Sequence, residues 1–136
     1  EMRGADSGSS NKICALPAFW VGLLYSEKIL DEVFFMIKDW NLDEIYELNK
    51  DVQKYGLRSQ LRKKKIQSIC IEILKLSKKG LNIRNYLNKK KETEEHFLNI
   101  LFEIANSGKT PAEELINNYV DKNNNCSDDI FSDNSY

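Results

Sequence analysis

The apolar residues between positions 66 and 74 recur at the spacing of an α-helix, and this regularity constrains the fold most. They lie three and four positions apart: Ile66, Ile69, Cys70, Ile73 and Leu74. Such a stripe turns one apolar face of a helix toward a core. The β-branched isoleucines would also suit a strand, but the spacing and the length favour a helix. We expect this helix to end at Gly80, because glycine often follows the last helical residue.

Three helices are predicted before this one. Pro17 suits the first turn of a short helix that reaches Tyr25, and this segment is apolar all round, which indicates burial. Ser26 suits the N-cap of the second helix, which ends near Trp40. Asn41 and Glu44 have capping-box spacing ahead of a third helix, from residue 42 to about 55. The inward residues expected on the second and third helices are Leu30, Val33, Phe34, Ile37, Ile45, Leu48 and Val52.

Two helices are predicted after it. One spans about 93–106 and is ended by Gly108, with Phe97, Leu98, Leu101, Phe102 and Ala105 inward. Thr110, Pro111 and Glu113 form a strong start signal for the last helix, which reaches residue 119 or 121. The stretches 57–65 and 81–91 are expected to be irregular basic connections. The chain is therefore predicted to be mainly α, with five to six short helices after a β-strand end and loop.

The chain divides by composition into three parts. Residues 1–12 are expected to be a strand end followed by a loop, because Gly, Ser, Asp and Asn dominate residues 4–12. Residues 13–121 form the helical region. The tail at 122–136 is predicted to be disordered, since it consists mostly of Asn, Asp and Ser.

Charge is segregated although the net charge is only −1. Between Gly56 and Lys91 twelve Lys and Arg face a single acid, whereas residues 1–55 and 92–136 each carry ten acids. We expect the basic segment to fold against its acidic neighbours. The alternative is a stand-alone helical module that binds an anionic partner through residues 56–91.

The cysteines indicate a reducing compartment. Cys14, Cys70 and Cys126 are odd in number and widely spaced, which argues against a disulfide framework or a zinc site. We therefore expect a cytoplasmic protein. The net charge of −1 predicts no nucleic-acid or membrane partner, and the longest apolar run is too short and interrupted to span a bilayer. His96 is the single histidine, and we expect it on a helix surface.

The first residues carry the chemistry that points to a reaction. If Glu1 to Arg3 end a strand, both side chains lie on the same face, because side chains alternate along a strand. A carboxylate can bind a hard cation such as Mg²⁺, and an arginine can neutralise phosphoryl oxygens. The bland alternative is a surface ion pair. Asp6 could also bind metal, but an Asx-type bond within its own turn is favoured.

Two blocks of residues resemble the plant-type glutamate–cysteine ligases, which belong to the glutamine-synthetase-like carboxylate–amine ligases. The first reads EMRGAD at residues 1–6 and CALPAFWVGLLY at residues 14–25. The second reads GKTPAEEL at residues 108–115. Between these blocks, Gly80-Leu81 followed later by Phe97-Leu98 also resembles the helical C-terminal region of that family. The resemblance covers roughly residues 1–120 and corresponds to the C-terminal region of that family. The family usually has Gly-Gly-Pro-Trp and two basic residues after the aspartate, where this chain has SGSSNK at residues 7–12.

The resemblance implies a reaction and the roles of two residues. ATP would phosphorylate the γ-carboxylate of L-glutamate, and the amine of L-cysteine would attack this γ-glutamyl phosphate in the first step of glutathione biosynthesis. Glu1 would be a ligand of Mg²⁺ and Arg3 a catalytic contact to the transferring phosphoryl group. The chain would be the C-terminal part of an α+β fold whose N-terminal part lies upstream. Alone, it is expected to be inactive and poorly stable.

The aromatic residues after the loop allow two interpretations. Phe19, Trp20 and Tyr25 could line a substrate pocket, but core packing is favoured. Cys14 is expected to be an inert thiol.

Overall fold

The computed structural model describes residues 8–121, and this part of the chain is mainly helical. Its elements, in chain order, are α1 (Ser10–Leu24), α2 (Glu27–Ile37), α3 (Leu42–Tyr55), β1 (Gln60–Leu61), β2 (Lys64–Lys65), α4 (Ile66–Arg84), α5 (Asn99–Ser107) and α6 (Pro111–Asp121). Two 3₁₀ turns, Gly56–Arg58 and Glu94–Leu98, precede β1 and α5. The prediction of a mainly α chain is confirmed.

The core lies where α1 crosses α4. Ala18 of α1, Leu81 of α4 and Leu98 of the second 3₁₀ turn form a buried cluster, with Phe19 and Phe102 packed against it. Leu81 and Leu98 are almost fully buried. The helical stripe predicted on α4 is partly confirmed, since Ile69 and Leu74 are buried and the other members are half-buried.

The first helix begins earlier than the sequence predicts. α1 starts at Ser10, so residues 10–12 form its first turn rather than the end of a loop, and Pro17 lies inside the helix. The prediction of Pro17 in the first turn is therefore wrong. Proline costs a helix about 3 kcal/mol because it removes one backbone hydrogen bond. Packing of the small residues of α1 against α4 offsets that cost.

The predicted end of α4 is also wrong. Gly80 lies inside the helix, which continues to Arg84 and ends at Asn85 with a left-handed φ of 50°. Asn tolerates this conformation better than most residues, which explains why it can close a helix. Gly80 is needed for helix packing instead of helix termination, as described below.

The basic connection at residues 57–65 is more ordered than expected. After the first 3₁₀ turn, β1 and β2 pair antiparallel, with Gln60 opposite Lys65 and Leu61 opposite Lys64. The two loop residues, Arg62 and Lys63, have φ values of 47° and 68°. Two successive positive φ values are typical of the type I′ turn, whose twist matches that of a hairpin. The sequence lacks the usual Asn-Gly signal for this turn, so the hairpin was missed.

Helix α3 confirms the predicted bounds and corrects the predicted burial. The Asn41 side chain accepts from the Glu44 amide at 2.8 Å, and the Glu44 carboxylate accepts from the Asn41 amide at 3.0 Å. Gly56 ends the helix with a positive φ of 54°. None of the residues of α3 is buried, however, and Ile45 and Val52, predicted to face inward, are exposed.

Helix α2 shows the same disagreement. It ends at Ile37 instead of Trp40, and Ser26 occupies the N-cap without a side-chain bond. The buried residue is Ile29, whereas Leu30, Phe34 and Ile37 of the predicted inward stripe are exposed. The predicted face is wrong because α2 contacts α1 and α4 through the side that carries the buried Ile29 and the half-buried Val33.

The C-terminal signals are confirmed. The predicted helix at 93–106 is a 3₁₀ turn followed by α5, and Gly108 ends α5 with a φ of 70°. Before α6, Thr110 Oγ1 accepts from the Glu113 amide at 3.2 Å, and Glu113 accepts from the Thr110 amide at 2.8 Å. This reciprocal pair is the capping box that the sequence predicts.

Within residues 8–121 no single helix is long and apolar enough to cross a membrane. By length and composition alone, α1 and α2 pass that test together, but they are bent by 92° at their junction.

Candidate functional site

The predicted site residues Glu1, Arg3 and Asp6 lie outside the described residues. The structure describes instead the support next to them in the chain, which begins at Gly8 and continues into α1.

A tight turn connects Gly8 to the first residues of α1. Gly8 is buried, and a Cβ added there would lie 2.9 Å from Lys12 Cδ. The Ser9 carbonyl accepts from the Lys12 amide at 2.8 Å and from the Ile13 amide at 3.0 Å. The aliphatic part of Lys12 therefore covers Gly8.

The start of α1 is electrically positive. Ser9 makes no side-chain cap bond, and the first turn contains no acidic residue. The amide groups at a helix start carry a partial positive charge, and Lys12 adds a full one. This environment favours anions nearby, although a helix start defines no ligand by itself.

Close contact with α4 holds α1 in place. A Cβ on Gly80 would lie 1.8 Å from the Gly22 carbonyl oxygen, and a Cβ on Gly22 would lie 2.3 Å from the Ser77 carbonyl oxygen. The buried Ser77 hydroxyl donates to the Phe19 carbonyl at 2.9 Å. The two backbones can approach this closely only because both glycines lack a Cβ. The spacing of Ser77 and Gly80, one helical turn apart, was the sequence signal that could have revealed this contact.

The three aromatic residues after the loop have different environments. Phe19 packs against the core cluster, as predicted. Trp20 meets the Phe19 ring edge-on at 5.2 Å but is 40% exposed, and Tyr25 is 75% exposed beneath the Arg84 guanidinium. Core packing therefore holds for Phe19, and in the described part of the chain it does not hold for Trp20 or Tyr25.

The thiols and the histidine form no cluster in the described residues. Cys14 is exposed, and Cys70 is half-buried, which raises the pKa of its thiol by desolvation. Cys126 lies outside the described residues. His96 is exposed, as predicted, and its Nδ1 lies 2.7 Å from the Thr93 carbonyl oxygen. Between residues 8 and 121 no group of three or more His, Cys, Asp or Glu side chains could hold a metal ion.

Acidic neighbours pair with the basic segment. Among residues 8–121, six of its twelve cationic side chains form ion pairs: Arg58 with Glu113, Arg62 with Glu44, Lys64 with Glu72, Lys78 with Glu95, Lys79 with Glu32 and Arg84 with Glu94. Five of those acids come from outside residues 56–91. This arrangement matches the expectation that the segment folds against the acidic parts of the chain.

The Arg62–Glu44 pair is the best-formed contact of this set. Arg62 Nε and Nη2 donate to the two Glu44 oxygens at 2.6 and 2.7 Å, and Nη2 also donates to the Asp39 carbonyl. These bonds, together with the Asn41 amide, lower the pKa of Glu44. The hairpin is thereby tied to the turn between α2 and α3.

Comparison with known proteins identifies the family to which this chain belongs. The model of the glutamate–cysteine ligase family 2 matches residues 1–129. The chain belongs to glutamate–cysteine ligase family 2. It is 41% identical over 133 residues to glutamate–cysteine ligase A, chloroplastic, of Oryza sativa subsp. indica. It is 40% identical to the chloroplastic glutamate–cysteine ligase of Medicago truncatula and 38% identical to that of Arabidopsis thaliana.

These alignments cover nearly all of this chain but only part of each relative. They span 98% of the chain and 26%, 25% and 24% of the three ligases. The chain therefore spans about a quarter of the length of the family members that it matches, and the resemblance noted in its sequence is confirmed.

Proposed function

We propose that this chain is the C-terminal part of an ATP-dependent ligase that joins the γ-carboxylate of L-glutamate to the amine of L-cysteine. The observation that carries the proposal is the family match over residues 1–129, which includes the segment with Glu1 and Arg3. Relatives about 40% identical over the chain are named glutamate–cysteine ligases. The proposed reaction passes through a γ-glutamyl phosphate, with ATP as the phosphoryl donor.

The proposed roles of the first residues rest on their chemistry. Glu1 would hold Mg²⁺, and Arg3 would neutralise charge on the transferring phosphoryl group. No group of three or more His, Cys, Asp or Glu side chains within residues 8–121 could hold Mg²⁺. Its other ligands would have to come from parts of the ligase outside residues 8–121. Asp6 keeps its proposed role in stabilising the loop.

The described residues would contribute by positioning. The turn at Gly8 and Ser9 joins the loop to α1, and α1 is held against α4 through Gly22 and Gly80. A firmly packed α1 would give the segment that carries Arg3 a fixed attachment point, and fixed charges stabilise a transition state best when they need not reorganise. The positive start of α1 would add to the field of Arg3.

Compartment and partners are part of the same proposal. L-glutamate, L-cysteine, ATP and the N-terminal part of the polypeptide are the proposed partners. We propose a cytoplasmic location from the cysteine content, while the names of the plant relatives place those proteins in the chloroplast.

The test measures cysteine-dependent ADP release by the longer polypeptide that contains this segment. Replacing Arg3→Lys should lower kcat by roughly 10²–10³-fold, because lysine cannot present the planar fork of arginine. Glu1→Gln should weaken Mg²⁺ binding, so that turnover requires a higher Mg²⁺ concentration. The matched surface controls Arg58→Lys and Glu27→Gln should leave turnover unchanged. ADP release without cysteine dependence, or equal activity in the Arg3 variant, would contradict the proposal.

A second measurement uses the 136-residue chain by itself. It should release no ADP when glutamate, cysteine, ATP and Mg²⁺ are supplied, because too few of the carboxylates for a phosphoryl-transfer centre are present. Cysteine-dependent turnover by this piece would overturn the proposal that it needs the rest of the ligase.

A further inference from the structure

Helix α1 has two apolar faces, and only one of them is covered in the described part of the chain. Ala15, Ala18 and Gly22 lie on the covered face, toward α4. On the opposite face four residues lie along one line at intervals of four, three and four positions: Ile13, Pro17, Trp20 and Leu24. We call these four residues the outer stripe. Ile13, Trp20 and Leu24 are 55%, 40% and 52% exposed.

The outer stripe differs from an ordinary solvent-facing side of a helix. From Ile13 to Leu24 the helix contains no charged residue. On α4, by contrast, the outward side chains include Lys75, Lys78 and Lys79, and two of these form ion pairs. A helix that is apolar on all sides is normally buried on all sides. The outer stripe therefore has the composition of a contact surface.

We propose that the outer stripe is the surface on which the rest of the ligase polypeptide docks, so that α1 is sandwiched between α4 and that part. This inference rests on the proposed function. The rest of the polypeptide is the proposed occupant of the outer stripe because the chain spans only about a quarter of the length of its relatives. Roughly three quarters of such a ligase lie outside this sequence, and a covalently linked partner has a high effective concentration.

The chemistry of the stripe also selects this occupant. The absence of charge between Ile13 and Leu24 matches an apolar protein surface, and burying three large side chains removes substantial apolar area from water. Between Ile13 and Leu24 the helix itself offers an anionic partner no cation. Because the loop enters α1 at Gly8 and Ser9, docking here would also bring that loop to the boundary between the two parts.

The test is hydroxyl-radical footprinting of the full ligase polypeptide, read by mass spectrometry at Ile13 and Ile116. Ile116 lies on α6 and is 61% exposed, so it is a matched isoleucine outside the stripe. The protection of a residue is its oxidation rate in the urea-unfolded polypeptide divided by its rate in the folded polypeptide. We expect Ile13 to be protected fivefold or more, and a smaller protection would overturn the proposal whatever the value at Ile116.

Two further conditions separate the other occupants. Protection that disappears when a dimer is diluted to monomer would mean that a second copy covers the stripe. Protection that appears only with added anionic or zwitterionic lipid vesicles would mean that a membrane covers it. Either result would overturn the proposal, whereas protection in the vesicle-free monomer supports it.

A pair of substitutions gives an independent readout. In the full polypeptide Leu24→Glu should lower Tm by at least about 5 °C more than Ile116→Glu, because it places a charge in a buried contact. Equal shifts would count against docking. Footprinting and melting need no substrate, so they are separate from the assay of function. An active ligase with an exposed Ile13 would overturn only this inference, and an inactive polypeptide with a protected Ile13 would overturn only the proposed function.

Discussion

Two regions of the molecule contrast in how they use small and large side chains. One is the contact between α1 and α4, and the other is helix α3. Gly22, Ser77 and Gly80 bring two backbones together with almost no side-chain volume. Helix α3 carries large apolar side chains in a regular stripe and buries none of them. Its main contacts are with the neighbouring 3₁₀ turn and hairpin. A regular stripe therefore shows that a helix forms, whereas small residues show where two helices meet.

The largest expected effect comes from adding one methyl group at the close contact. Gly80→Ala should destabilise the chain by about 3 kcal/mol or more, because its Cβ would collide with the Gly22 carbonyl oxygen. In a helix without such a contact the same change would stabilise by roughly 1 kcal/mol. Urea denaturation followed by circular dichroism measures the sign. Lys75→Ala, at an exposed position on the same helix, is the control, and a stabilising Gly80→Ala would break the comparison.

The next effect compares a buried and an exposed apolar residue. Leu98→Ala should cost about 2–5 kcal/mol, because Leu98 is fully buried in the core cluster and its truncation leaves a cavity. Ile45→Ala on α3 should cost less than about 1 kcal/mol in the 136-residue chain, since its side chain is 42% exposed. The measurement is the same denaturation experiment. Similar costs for the two variants would show that α3 is covered in solution.

The smallest effect concerns the tie between the hairpin and the α2–α3 turn. The pKa of Glu44 is lowered chiefly by the hydrogen bonds from Arg62 and then by the Asn41 amide. A depressed carboxyl pKa contributes stability above its unfolded value of 4.5 and loses it as the pH falls through the folded value. Arg62→Lys should therefore reduce the fall in Tm between about pH 6 and pH 3.

The control for this effect is Arg58→Lys, which alters a different ion pair. Its pH profile should keep the contribution of Glu44. If the Arg62 and Arg58 variants change the acid side of the profile equally, the hairpin tie has no specific role.

Much of the fold could be predicted from local signals. The capping residues Asn41 and Thr110 and the helix-ending Gly56 and Gly108 acted as the sequence indicates, because a cap depends only on a few adjacent backbone groups. The hairpin could not be predicted, since Arg62 and Lys63 adopt a turn that their residue types do not favour. The bond from Arg62 to Glu44 joins residues eighteen positions apart, which no local signal reports.

The candidate site was predicted from residue chemistry and from resemblance. Glu1, Arg3 and Asp6 lie outside the described residues, so their roles stay predictions. The family match over residues 1–129 covers these positions, and the structure describes the turn and helix that begin at Gly8. The packing of Phe19 against the core could be predicted from its apolar surroundings, but the exposure of Trp20 could not, because it depends on which face of α1 meets α4.

By itself the sequence determined the helical content, the caps at Asn41, Gly56, Gly108 and Thr110, and the family, because these depend on spacing and residue type along the chain. The tertiary structure decided which face of each helix is buried, that Gly80 lies within α4 instead of ending it, and that α1 keeps a second apolar face uncovered in the described residues. The physical reason is that a stripe is apolar in any environment, whereas burial depends on which surfaces approach each other. In this chain Gly22 and Gly80 permit the close approach of α1 and α4, and so decide which face of α1 is buried against α4.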